Sequence, residues 1–189
     1  MNSSALRNLV YAQLSFFSFL LLTVLLLTYR GFEDNHGLSY YGEHMDTIIP
    51  YGLGLLTCAL FIWRGASSLS GPLGSALRAL SVLLVLDLAT PDTINDAFYW
   101  AHVAVSTLLF LLEFAIGLGL VLTVLRAQLI ALFAAQFFTG LIAMFSQFHV
   151  IHLLSVGILG FQLAFGVLLV VAVRELFGAG EEPTVAVTA

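Results

Sequence analysis

Ala97–Leu125 reads AFYWAHVAVSTLLFLLEFAIGLGLVLTVL, and its only carboxylate besides apolar and small residues is Glu113. A membrane-crossing helix needs roughly 20 predominantly apolar residues. This run is longer than that, so as a span it tilts or protrudes from the bilayer. Working outward from it, five further apolar runs appear at Leu9–Tyr29, Thr47–Trp63, Leu73–Ala89, Ala127–Ser146 and His149–Val173. The chain has 189 residues, 60% of them hydrophobic and 9% charged, with a mean hydropathy of +1.04. A soluble domain carries about a quarter charged residues, so little is left here to clothe a water-exposed surface. The expected fold is an all-α integral membrane protein, a six-transmembrane-helix bundle. It forms one domain over residues 1–176, with a disordered tail over 177–189.

The connections support that division. The first run is too long for a signal-peptide core and no small-residue cleavage site follows it, which predicts an uncleaved first span. Asp46 and Thr47 offer N-caps for the second span, with Pro50 in its first turn. RGASSLSGP (Arg64–Pro72) and TPDTIND (Thr90–Asp96) read as turns. No repeat is visible.

The few charges narrow the chemistry. All six Lys+Arg positions are arginine, which excludes a lysine Schiff base and a P-loop lysine. Cys58 is the single cysteine, so no internal disulfide or thiol pair forms. A net charge of −5 with arginines scattered singly argues against nucleic acid as a partner. With six spans, Arg7, Arg64, Arg78, Arg126 and Arg174 fall on one side and Arg30 on the other. The positive-inside rule then puts both termini in the cytoplasm and predicts a multi-pass protein of the cell membrane. Arg78, inside the third span, snorkels to the inner interface.

That orientation gathers the histidines outside. His36 and His44 fall in the first outer loop, His102 near the outer end of span four, and His149 and His152 at the start of span six. Asp46, Asp87, Asp92 and Asp96 share their level, with Glu33, Asp34 and Glu43 in the loop. Histidine with carboxylate is a ligand set for zinc or a related divalent metal, and also for a proton-sensing gate. A hydrated rim with no ligand accounts for the same distribution. The metal candidates are His102, His149 and His152 with Asp87 or Asp46; His149 and His152 would lie roughly 60° apart on one helix. The zinc-protease pattern H-E-x-x-H is absent.

A second constellation lies deeper. Glu113, Gln136 and Gln162 fall near the middle of spans four, five and six, close to the bilayer midplane. Carboxyl groups at that depth face the bundle interior with a partner. Asn95, His102, Ser106, Glu113 and Gly117 form one helical stripe from the outer surface to the midplane. The stripe reads as a pathway for a proton, metal ion or small polar ligand, with Glu113 as its charge and His102 and Ser106 as lining. The structural alternative is a protonated Glu113 hydrogen-bonded to Gln136 or Gln162, fastening three helices.

Ala131, Ala135, Thr139 and Ala143 give span five a small-residue face, suited to a neighbouring helix, a second copy or a partner membrane protein. Gly160 and Ala164 in span six complement it. Tyr40, Tyr41, Tyr99 and Trp100 mark the outer boundary as an aromatic belt does. The loop Gly37–Gly42 (GLSYYG) resembles the first outer loop of the damage-regulated autophagy modulator proteins over six residues. Size and topology are similar to the substrate-binding subunits of energy-coupling-factor vitamin importers, in architecture alone. Neither resemblance assigns a role to a residue.

The leading expectation is a non-enzymatic binding or transport protein with an outer-facing polar pocket. The competing readings are a metal-dependent intramembrane hydrolase acting on lipid at the outer leaflet, a haem-binding bundle using His102 with His149 or His152, and a structural partner without ligand.

Overall fold

A computed structural model describes residues 3–26 and 36–178. The described residues form seven helices and no strand: α1 (Ser3–Leu26), α2 (Tyr40–Glu43), α3 (Ile48–Ser67), α4 (Gly71–Ala89), α5 (Asp96–Val124), α6 (Ala127–Gln147) and α7 (Leu154–Gly178). Six of them, all except the single turn α2, are long and apolar enough to cross a membrane.

The ends of these helices follow local chemistry. Gly71 takes φ +80° with open space around it, the conformation that favours glycine, and Pro72 follows inside the first turn of α4. The Thr90 hydroxyl donates to the Leu86 carbonyl at 2.9 Å and Pro91 ends α4. Asn95 Oδ1 accepts from the Phe98 N–H at 3.1 Å, an N-cap that starts α5. Leu125, at φ 48°, and Arg126 alone connect α5 to α6.

Boundaries differ from the expected ones in α1, α3 and α7; α3 runs on to Ser67, through Arg64–Ser67 of the expected turn. α1 starts at Ser3 rather than Leu9, because Arg7 is exposed and the polar first turns extend the helix beyond its apolar run. Thr47 precedes α3 as expected, but its side chain does not cap; the hydroxyl donates to the Tyr41 carbonyl at 2.7 Å instead. Span six begins at Leu154, not His149. His149 sits at φ 58°, and the Leu153 N–H donates to the Ser146 hydroxyl at 3.1 Å, so residues 148–153 form a turn. That turn contains neither Gly nor Pro, the usual punctuation. α7 also continues past Val173 to Gly178, so Phe177 and Gly178 of the expected tail are helical, and residues 179–189 lie outside the described residues. So do Arg30, Glu33 and Asp34 of the first loop.

The six long helices close a ring. α1 packs on α3, α3 on α4, α4 on α5, α5 on α6 and α7, α6 on α7, and α7 returns to α1. The closest pairings are α1 with α3 and α6 with α7. One end of the bundle gathers α2, the α4–α5 turn and the start of α7: the Ser155 hydroxyl donates to the His36 carbonyl at 2.5 Å, and Glu43 faces Asp92. At the opposite end, the Ser4 hydroxyl meets that of Ser68 at 3.2 Å and Arg126 lies 3.7 Å from Glu175.

The half of the small-residue face on α6 nearer the α2 end is used within the chain. A Cβ on Gly157 would fall onto the Ala143 backbone, and one on Gly160 would stand 2.6 Å from Thr139 Cγ2. Glycine at both positions lets α7 approach α6 closely. Ala131 and Ala135 remain exposed.

Candidate functional site

α5 is 29 residues long, about 43 Å at the rise of an α-helix, and a bilayer core is about 30 Å thick. At the α2 end Thr93–Ala101 are exposed without interruption, which is where the excess length would project. That overhang brings Ser106, more than two turns into α5, level with Asp87 in the last turn of α4.

There three side chains meet. The Ser106 hydroxyl donates to Asp87 Oδ1 at 2.5 Å. His102 Nε2 lies 3.4 Å from the same hydroxyl, and His102 Nδ1 lies 3.6 Å from Asp87 Oδ1. His102 and Asp87 are 13% and 16% exposed, so the group is largely shielded. The residue types are those of a serine hydrolase triad, but the arrangement differs. Ser106 gives its proton to the carboxylate rather than to imidazole, whereas a triad needs the serine–histidine bond. All three sit within helices, where backbone N–H groups are already engaged and form no oxyanion hole. What the cluster offers is a carboxylate, an imidazole and a hydroxyl linked closely enough to pass or hold a proton.

Above it, the two loops of the α2 end are joined through acids. Glu43 and Asp92 face each other there, close enough for the two carboxyl groups to share a proton. Partial burial, then the bond through that proton and the Asp92 charge, push the Glu43 carboxyl up to about 7. Tyr41 is fully buried beneath, and burial with the neighbouring Tyr40 pushes its phenol up to about 12. His36 stacks on Tyr40 with ring centroids 4.3 Å apart, and the His44 ring lies tilted against the same tyrosine at 4.1 Å.

Deeper on the same face of α5 lies Glu113, 2% exposed. Gln162 Nε2 on α7 donates to Glu113 Oε2 at 2.8 Å. Gln136 on α6 is fully buried and packs on Gly117, one turn further along α5: a Cβ there would stand 2.6 Å from Gln136 Oε1. Cys58 on α3 and Asp87 on α4 are the ionisable side chains that face Glu113 electrostatically from the other half of the bundle.

The expected stripe is thus present from His102 to Gly117, while Asn95 serves as the helix cap. The pairing of Glu113 with Gln162 is the one of the two anticipated amide bonds that forms. His149 and His152 are not brought to it. Both are exposed in the α6–α7 turn, off any helix, so the expected 60° pair on span six does not exist. Among the described residues no three His, Cys, Asp or Glu side chains come together as a metal-holding group, and Asp46 is exposed. The Glu43–Asp92 contact was not visible in the sequence. Its two members lie in different loops, and only the folding of α2 against the α4–α5 turn joins them. No protein-family model, no curated protein and no solved structure matches the chain.

Proposed function

We propose that the protein is a non-enzymatic, proton-binding transport protein of the cell membrane, taking up its proton at the α2 end and carrying it on Glu113. The observation that supports this most directly is the Asp87–Ser106–His102 cluster on the α5 face that also carries Glu113. A proton needs no cavity, and Glu113 is enclosed; a metal ion or a polar solute needs several donors around a space. Acids and histidines inside a membrane line proton relays, and Asp87, His102 and Glu113 are of those kinds. In this reading Glu43 and Asp92 form the entry, Asp87 and His102 exchange the proton next, and Glu113 receives it about 10 Å deeper, seven helical residues beyond Ser106. The arginine distribution supports an orientation with the α2 end outside and both termini cytoplasmic. A second copy or partner helix would meet α6 along Ala131 and Ala135, its exposed small residues.

The test is proton flux into liposomes holding the full chain and an internal pH dye, driven by a potassium diffusion potential. Glu113→Gln abolishes the flux above empty liposomes, and Asp87→Asn slows it at least tenfold. Flux in Glu113→Gln equal to that of the unmodified chain overturns the proposal.

A further inference from the structure

Gln136 breaks the rule that buried polar groups are paired. Its side chain is 0% exposed, and neither Oε1 nor Nε2 has a hydrogen-bond partner among the described residues. An amide presents two donors and two acceptor positions, and leaving them unmade inside a span is unfavourable because lipid offers no substitute. An apolar residue of the same length would fill the space without that penalty. The amide also has a place prepared for it, since Gly117 supplies the room that any side chain would take from Oε1.

The heights of the groups suggest what the amide is for. α5 and α6 are joined by the two residues Leu125 and Arg126, so positions along both are measured from a common turn. At about 1.5 Å per residue, Gly117 stands about 10 Å from that turn, Gln136 about 14 Å and Glu113 about 16 Å. The Gln136 backbone therefore lies between the other two, and its amide leans toward Gly117. Its unbranched side chain has several staggered rotamers, and reaching Glu113 requires one that swings the amide away from the α5–α6 turn, against the usual N-terminal lean of a helical side chain. Glu113 meanwhile is held from the other side, by Gln162 on α7. A protonated carboxyl has one O–H to donate, and an ionised one only accepts. An amide serves both, with its carbonyl for the first and its NH2 for the second.

We propose that Gln136 is a second hydrogen-bond station for Glu113: the carboxyl is bonded to Gln162 in one state of the bundle and to Gln136 in another, and exchange between the two amides turns Glu113 from the α2 end toward the opposite end. The proton stays on the carboxyl during the exchange; only its partners change. Gly117 keeps the resting position of Gln136 open. This inference rests on the reading of Glu113 as the proton carrier, and it adds the group that hands Glu113 inward. Asp87 on α4 and Cys58 on α3 face Glu113 throughout, so their protonation enters any pH dependence of the exchange.

Infrared spectroscopy of the purified full chain over a pH series reads the partners of the acid directly. Carbonyl bands that disappear in Glu113→Gln belong to Glu113. Two such bands are expected. Gln136→Met removes one of them and raises the denaturation temperature by several degrees, because the unpaired amide is gone. Gly117→Ala strengthens the same band at least twofold, because the added methyl drives Gln136 toward Glu113. The two variants act in opposite directions, so a folding defect in one leaves the other decisive. A single Glu113 band, indifferent to both substitutions, overturns the second station and leaves proton binding at Glu113 standing. No Glu113-dependent acid band at any pH overturns both.

Discussion

The two three-helix halves of the bundle are held together by different chemistry. In α1, α3 and α4 the shared surface is made of Ala5, Leu9, Ala12, Ala59, Ile62 and Leu77, with backbone approaches at Gly54 and Gly65. Its buried hydroxyls answer carbonyls: Ser81 donates to Ala59 at 2.7 Å and Thr23 to Leu20 at 2.7 Å. In α5, α6 and α7 the same kind of close approach at Gly157 and Gly160 is accompanied by Glu113, Gln136 and Gln162. The first half shows that this chain packs three helices without a carboxyl or an amide at their centre. Close packing and small side chains suffice in a bilayer. The second half adds polar groups at a depth where they are expensive, a difference that the proposed proton binding at Glu113 would account for.

The comparison breaks first at its common element, close helix approach. Gly157→Val should have the largest effect, because its side chain meets the Ala143 backbone, which cannot move aside. A loss of about 3 kcal/mol, the upper range for overpacking, would appear as a lower denaturation temperature in detergent. Gly52→Ala in the first half is its control. There the nearest atoms are the Leu88 methyls at 3.7 Å, and replacing a helical glycine by alanine gains about 0.5–1 kcal/mol. If Gly157→Val folds as stably as Gly52→Ala, the α6–α7 interface is looser than described.

The next comparison is between polar bonds in the two halves. Gln162→Leu leaves a buried carboxyl oxygen without its donor and should lower stability by about 1–3 kcal/mol, the cost of an unsatisfied buried polar group. Ser81→Ala removes a hydroxyl from a carbonyl already bonded within its own helix and should lower it by about 0.5–1.5 kcal/mol. Equilibrium unfolding of the two variants gives the order. Were Ser81→Ala the more damaging, the polar weight of the molecule would lie in the first half.

Much of this was legible in the sequence because a membrane span is a long, strong signal. All six spans were found, and the four that run from Thr47 to Gln147 agree at both ends to within a few residues. The α6–α7 turn was not legible, because it is made by Ser146 and by His149 in a left-handed conformation rather than by Gly or Pro. Misplacing that turn put His149 and His152 on a helix they do not share. The Glu113–Gln162 bond followed from depth alone, since both residues lie mid-span. Depth could not say which amide would take the carboxyl: that depends on rotation about the helix axes, fixed by the glycines of α7 against α6 and not by hydropathy. The Asp87–Ser106 bond depended on the overhang of α5, which the run length implied only as tilt or protrusion.

The smallest effect expected is the most local, at the contact between the two loops of the α2 end. The Glu43 carboxyl is raised to about 7, above its ordinary value of 4.5, so the folded loops favour its protonated form. A group raised in this way contributes its full stabilisation below the ordinary value and loses it as pH climbs through the raised one. The Glu43–Asp92 bond should therefore hold below about pH 4.5 and be lost above about pH 7, when two carboxylates face each other beside Tyr51 and Asp87. Glu43 is exposed on one side, and solvent screening keeps the effect on global stability slight. The measurement must be local. Amide hydrogen exchange in residues 36–47 and 90–95, corrected for its intrinsic pH dependence, should accelerate across that window, while the cores of α3 and α7 stay unchanged. Glu43→Gln keeps a neutral hydrogen-bonding group opposite Asp92 and should flatten the acceleration. If wild-type protection in these loops is the same on both sides of pH 7, the carboxyl pair does not hold the loops together. The α2 end then owes its closure to Tyr41, Thr47 and Ser155, none of which changes charge in that range.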